Sequence, residues 1–160
     1  MAKVDQELIR MSETLRVLED EREIIQLISS YGPAVDSGQS EAAAAIWTED
    51  GVYDTDAVVW RGWAEIAAMV ESAPHQQLIA EGAAHVIGVP HVRISGHRAV
   101  ATCYSRVFRH VEGRFEVWRV AVNRWELVRT PEGWRASYRT NRLINGSAAA
   151  RELLGRAGEE

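Results

Sequence analysis

A single cysteine, Cys103, excludes an internal disulfide framework and any cysteine-rich metal site. No apolar run approaches the roughly 18–20 residues a membrane helix needs. The longest such run is 42–47, and it is mostly alanine. The first residues, Met1-Ala-Lys-Val-Asp-Gln-Glu, hold no hydrophobic signal core, so no secretory leader is expected and a cytoplasmic location is the default. Basic charge is not in excess: 18 Lys+Arg stand against 23 Asp+Glu, giving a net charge of −5. That balance argues against nucleic acid as a partner, and no membrane partner is expected. Internal repeats, low-complexity blocks and linkers are absent. So are phosphate-cradling glycine loops, a His-Glu-x-x-His metal pair and a serine nucleophile elbow. Neither a metal nor another cofactor is expected.

What remains is a chain of 160 residues, 46% hydrophobic and 26% charged, too apolar to stay disordered. Its length suits one domain able to bury roughly 68–70% of its unfolded surface. Six tryptophans dominate the aromatics and must pack a core, line a pocket or form an interface.

The N-terminal third has helical periodicity. Leu8, Met11, Leu15 and Leu18 form one apolar stripe, read as an arm over 1–19. Asp20 and Glu23 resemble a capping box that restarts a helix over about 20–31. Gly32-Pro33 ends or kinks it. A further helical piece covers about 40–47, Glu49-Asp50-Gly51 is a turn signal, and 52–56 and 58–61 look like short strands. Gly62 opens a helix that Pro74 stops; 75–82 is ambiguous. From Ala83 the period becomes two: a strand over 85–94, a second over 97–111, a third over 114–129 with a bulge near Trp118-Arg119-Val120, and a last over 134–144. A short helix is expected after Gly146.

Helices followed by long strands imply an α+β fold. Strands this long curl, so a curved antiparallel sheet forms a cone, with N-terminal helices over its concave face. The cone spans 20–147 and 148–160 is a tail. Trp118, Trp125, Val120, Val122 and Val128 are assigned to the convex face, which predicts a homo-oligomer.

Three motifs carry a resemblance: Tyr31-Gly-Pro-Ala-Val-Asp36; Trp47-Thr-Glu-Asp-Gly51-Val-Tyr53 followed by Gly62; and Arg124-Trp-Glu-Leu-Val-Arg-Thr-Pro-Glu-Gly-Trp134-Arg-Ala-Ser-Tyr-Arg139. Over about 15–147 the chain resembles the SnoaL-like branch of the nuclear transport factor 2-like superfamily. The resemblance implies a cone with a deep apolar pocket. It leaves the reaction open, since dehydratases, isomerases, cyclases, epoxide hydrolases and binding proteins share the fold. The subgroup similar to scytalone dehydratase and bile-acid dehydratase implies a trimer, with a dimer as the alternative. It also implies a site of Tyr31, Asp36 and His85. Arg139 matches a recurrent arginine, with Arg106 and Asn141 as weaker matches.

A carboxylate accepting from one imidazole nitrogen leaves the other as the better base, which suits Asp36 and His85. The plainer reading is a structural histidine beside a helix-end cap. Tyr31 and Asp36 pose a problem, because five residues place them about 140° apart on a straight helix. Tyr31 is either a core aromatic or a donor to a substrate carbonyl. Asp54 and Asp56 read as a solvated strand edge, and His91 and His97 as a surface pair. Trp47, Tyr53, Trp60, Trp63, Tyr104 and Phe108 are candidate pocket walls for an apolar cyclic ligand. The expected activity is a cofactor-free dehydratase acting on a cyclic or polycyclic carbonyl compound. Isomerisation or cyclisation through the same enolate, or ligand binding alone, are the alternatives.

Overall fold

A computed structural model describes residues 2–157. Helix α1 runs unbroken over Ala2–Ser29, so no restart occurs at Asp20 and the arm is not a separate element. Leu8, Met11, Leu15 and Leu18 stay more than half exposed, while Ile24 and Ile28 are fully buried. Asp20 and Glu23 serve a tertiary purpose instead of capping. Asp20 accepts from Arg129 and from Trp134 Nε1, and Glu23 accepts the Trp134 backbone N–H at 2.9 Å. Together they pin the helix to the hairpin between the last two strands.

The break falls at Ser30, before Gly32-Pro33, and α2 occupies Tyr31–Asp36. Helix α3 is short, Ser40–Ala44. Strand β1, Trp47–Asp54, passes straight through the expected turn. Glu49-Asp50-Gly51 instead falls in a register break between Trp47 and Val52. Strand β2 is Val59–Arg61 and α4 is Gly62–Glu71. The ambiguous stretch is a helix, α5, Ala73–Glu81, and Pro74 sits at its start. Proline suits a first turn, where its missing N–H costs nothing.

The strand expected over 85–94 is two strands, β3 Ala83–Ile87 and β4 His91–Ser95, both paired to β5, Arg98–Val111. Strands β6, Arg114–Thr130, and β7, Gly133–Leu143, complete the sheet, and α6 covers Ala148–Gly155. The strand order is β2-β1-β7-β6-β5-β3, with β4 also on β5. The fold is α+β, a curved, unclosed cone with helices packed on it. One correction applies: β1 pairs parallel with β7, so the sheet is mixed. The expected bulge is present, because Val107 opposes Arg119 while Phe108 opposes Val117, leaving Trp118 extra.

Trp125 does not belong to the convex face. It is fully buried against Tyr31 and Trp47. Val122 is also fully buried, with Ala150 and Leu153 of α6 packed on it. Trp118, Phe115, Val117 and Val120 remain exposed. No helix among the described residues is long and apolar enough to cross a membrane.

The helical layer meets the sheet edge closely. A Cβ on Gly32 would overlap the His85 carbonyl oxygen. Gly32→Ala is therefore expected to cost about 2–3 kcal/mol in urea unfolding, since backbone must move to admit it. Across the β1–β7 seam, Arg142 hydrogen-bonds Asp54 at 2.9 Å and Tyr138 donates to it at 3.0 Å. The Arg142 bond, assisted by Tyr138, holds the Asp54 carboxyl below the usual range. A depressed carboxyl stabilises the fold above its unfolded-state pKa and loses that contribution as pH falls through the folded one. Asp54→Asn should lower stability at neutral pH and flatten its decline on acidification, as read by urea midpoints across pH.

Candidate active site

Asp36 ends α2 and grips β3 with both oxygens. Oδ2 accepts the His85 backbone N–H at 2.7 Å, and Oδ1 accepts the ring Nδ1–H at 2.6 Å. In the neutral ring the second bond assigns the tautomer, with the proton on Nδ1 and the lone pair on Nε2. Nε2 makes no hydrogen bond among the described residues. Tyr31 opens the same helix, and its ring stands edge-on to His85, centroids 6.4 Å apart. The 140° problem is resolved without a kink at Gly32-Pro33. Tyr31 faces the cavity, while Asp36 reaches His85 from the helix end.

His75, on α5, completes the cluster. Its ring lies 5.8 Å from that of His85, tilted 36°, and Nε2 donates to the Val35 carbonyl at 2.9 Å. Its sequence context gives His75 no role, because it shows no metal-ligand spacing and the stretch 75–82 has no clear period. Pro74 as a helix-starting residue was the available signal.

Beneath Tyr31 lies a buried cation. The Arg139 guanidinium is 4.2 Å from the Tyr31 ring, 4.4 Å from Tyr53 and 4.2 Å from Trp125. Such contacts are attractive when desolvated. Its Nε and Nη2 both donate to Asn123 Oδ1, at 3.0 and 2.8 Å. Asn141 Nδ2 donates to the same oxygen at 2.7 Å, and Asn123 Nδ2 donates to Ser105 Oγ. Asn123 is the hub of this network and also escaped the sequence reading, since a lone asparagine in a strand carries no signal. Burial pushes the Tyr31 phenol far above its ordinary range; the Tyr53 phenol adds to this and Arg139 opposes it. Tyr31 therefore stays protonated and can donate.

These groups face a cavity of about 340 Å³, within the range of small-molecule sites. Tyr31, His85, Tyr53, Trp60, Arg139 and Asn141 border it, as does His75. Arg106 also borders it although its side chain is largely exposed. Trp47 does not border it: it is fully buried in the core behind Tyr31 and Tyr53. Tyr104 and Phe108 do not border it either. The cavity-facing alternation on β5 is Ser105 and Val107, which turns Tyr104 and Phe108 outward. Trp63 is absent from the lining too; its Nε1 donates to the Trp47 carbonyl at 2.9 Å. His91 bonds the Ala157 carbonyl rather than His97. Cys103 is buried in β5. Among the described residues no three His, Cys, Asp or Glu side chains form a metal-holding group.

The model of the SnoaL-like domain matches residues 16–140, which include the site from Tyr31 to Arg139. The chain belongs to the SnoaL-like domain family. An NTF2-like protein with a cystatin-like fold from Novosphingobium aromaticivorans is 47% identical, over 92% of this chain and 96% of that one, with a TM-score of 0.90. Two more distant structures share the fold of this SnoaL-like chain. A Catenulispora acidiphila protein in complex with S-DNPA is 21% identical, over 80% and 96% of the two chains, TM-score 0.69. Aln2 from a Streptomyces species is 18% identical, over 84% and 93%, TM-score 0.67. No curated protein matches.

The Asp36 grip makes a spectroscopic prediction for this SnoaL-like site. In the neutral ring, ¹⁵N shifts of His85 should report a protonated Nδ1 and a bare Nε2. Asp36→Ala should give mixed tautomers, and an unchanged spectrum would show that Asp36 does not set the proton.

Proposed function

We propose that this protein is a dehydratase-type lyase acting on a cyclic carbonyl compound by acid–base chemistry. One observation carries the reading: Asp36 holds His85 at two points and leaves Nε2 free beside a largely apolar cavity. Nε2 takes the proton next to the substrate carbonyl. Tyr31 donates to the carbonyl oxygen as enolate charge develops, and the Arg139 cation over its ring favours that charge. The enolate then collapses to a conjugated double bond and expels the β-hydroxyl group. That group leaves as water with the proton that His85 took.

Returning the proton to a different carbon would give isomerisation through the same enolate. Both Asp36 oxygens are engaged by His85, which favours the imidazole over the carboxylate as the base in either case. That a Catenulispora protein of the same fold is solved with S-DNPA supports reading the cavity as a ligand site.

The test is a panel of cyclic β-hydroxy ketones in deuterated water, read by mass and by enone absorbance. Water loss is expected, with α-deuterium in the recovered substrate to the extent that the enolate is reprotonated from solvent-exchanged His85 before the hydroxyl leaves. His85→Gln should lower the rate about 10²–10⁴-fold, and Tyr31→Phe about 10²–10³-fold. Neither exchange nor elimination across the panel would overturn the reading.

A further inference from the structure

The permanently charged side chains bordering the cavity are all arginines, and the remaining titratable nitrogen groups there are histidines. Arg106, Arg119 and Arg139 border it together with His75 and His85, and among the described residues no aspartate or glutamate does. Asp36 stands behind His85 with both oxygens engaged. This lining belongs to a chain whose net charge is −5. Elsewhere Arg109, Arg124, Arg129 and Arg142 pair with Glu81, Glu126, Asp20 and Asp54. The three cavity arginines make no ion pair among the described residues.

For exposed arginines that means only that water solvates them. Arg139 has no such outlet, being 2% exposed. Its Nη1 has no hydrogen-bond partner, and neither has Asn141 Oδ1. The Asn141 amide cannot flip to relieve this, because its Nδ2 already meets Asn123 Oδ1. A desolvated cation without a counter-ion is costly, and three ring faces offset only part of that cost. An anion in the cavity would offset more. Arg119 is suited to meet one. Its guanidinium rests 5.9 Å from the half-exposed Trp118 ring, which also carries Arg109 at 5.5 Å.

We propose that the cavity takes a cyclic carboxylate, with its ring against Tyr53 and Trp60 and its carboxylate at Arg119, in the positive field of Arg139. This rests on the cavity being the reaction site and names its substrate class as a keto or hydroxy acid rather than a neutral ketone. The carboxylate is a handle, apart from the carbonyl that faces Tyr31.

Calorimetric titration with 2-naphthoate and 2-naphthamide tests it, since the two share ring and shape and differ in charge. The wild-type protein should bind the carboxylate at least about tenfold more tightly, with a preference that weakens as salt is added. Arg119→Gln lies on the rim and should reduce the preference to under about threefold. Equal affinities, failure of 2-naphthoate to bind, or a preference unchanged in Arg119→Gln would overturn the proposal. Binding and proton exchange separate the two readings. A carboxylate-preferring protein that neither exchanges an α-proton nor eliminates water removes the acid–base function alone. An exchanging protein indifferent to ligand charge removes this proposal alone.

Discussion

The pair of hydrogen bonds that Asp36 accepts from His85 is the contact on which the site depends. One carboxylate fastens the end of α2 to the backbone of edge strand β3 and orients the ring above it. It works because the two backbones come close enough, and Gly32 allows that approach: any side chain there would occupy the space of the His85 carbonyl. The contact engages both carboxylate oxygens with one residue. In the neutral imidazole, Nε2 is thereby left with its lone pair, and in the proposed reaction fold stability and site chemistry share one interaction.

The opposite wall is held differently. Asn123 Oδ1 accepts from Arg139 twice and from Asn141 once, and three aromatic rings close around the guanidinium. Buried polar networks of this kind specify one arrangement, because each displaced member leaves another unsatisfied. The result is a protonated phenol resting on a permanent cation, opposite a histidine aligned by a carboxylate. In the proposed reaction the phenol is the donor and the imidazole is the base, both at the border of one cavity.

Several sequence expectations failed for a common reason: local pattern competed with tertiary partners. Asp20 and Glu23 have the spacing of a helix cap, yet α1 continues and both carboxylates bind the Arg129–Trp134 hairpin. Glu49-Asp50-Gly51 has turn composition, yet it lies within β1 as a register break, flanked by pairings to β7 at Trp47 and Val52. Trp125 alternates with residues of the outer face as readily as of the inner one, and only the bulge at Trp118 decides the phase. The same ambiguity sent Tyr104 and Phe108 to the wrong side of β5. Period two shows which residues share a face, but not which face is concave.

The sequence by itself determined the α+β class and the order of nearly all the elements; the candidate triad of Tyr31, Asp36 and His85 comes from the family resemblance carried by short motifs. Hydrophobic period and turn residues act locally, and the triad's motif lies in short stretches of chain. Tertiary structure decided the rest. The parallel β1–β7 pairing, the burial of Trp47, the arrival of His75 beside His85 and the Asn123 hub all join residues distant in sequence. None leaves a local trace, because each arises from curvature of the sheet and closure of the helical layer over it. The arginine and histidine lining of the cavity belongs with these. Acidic residues outnumber basic ones along the chain, and only folding sorts arginine and histidine to the inner wall and the carboxylates away from it.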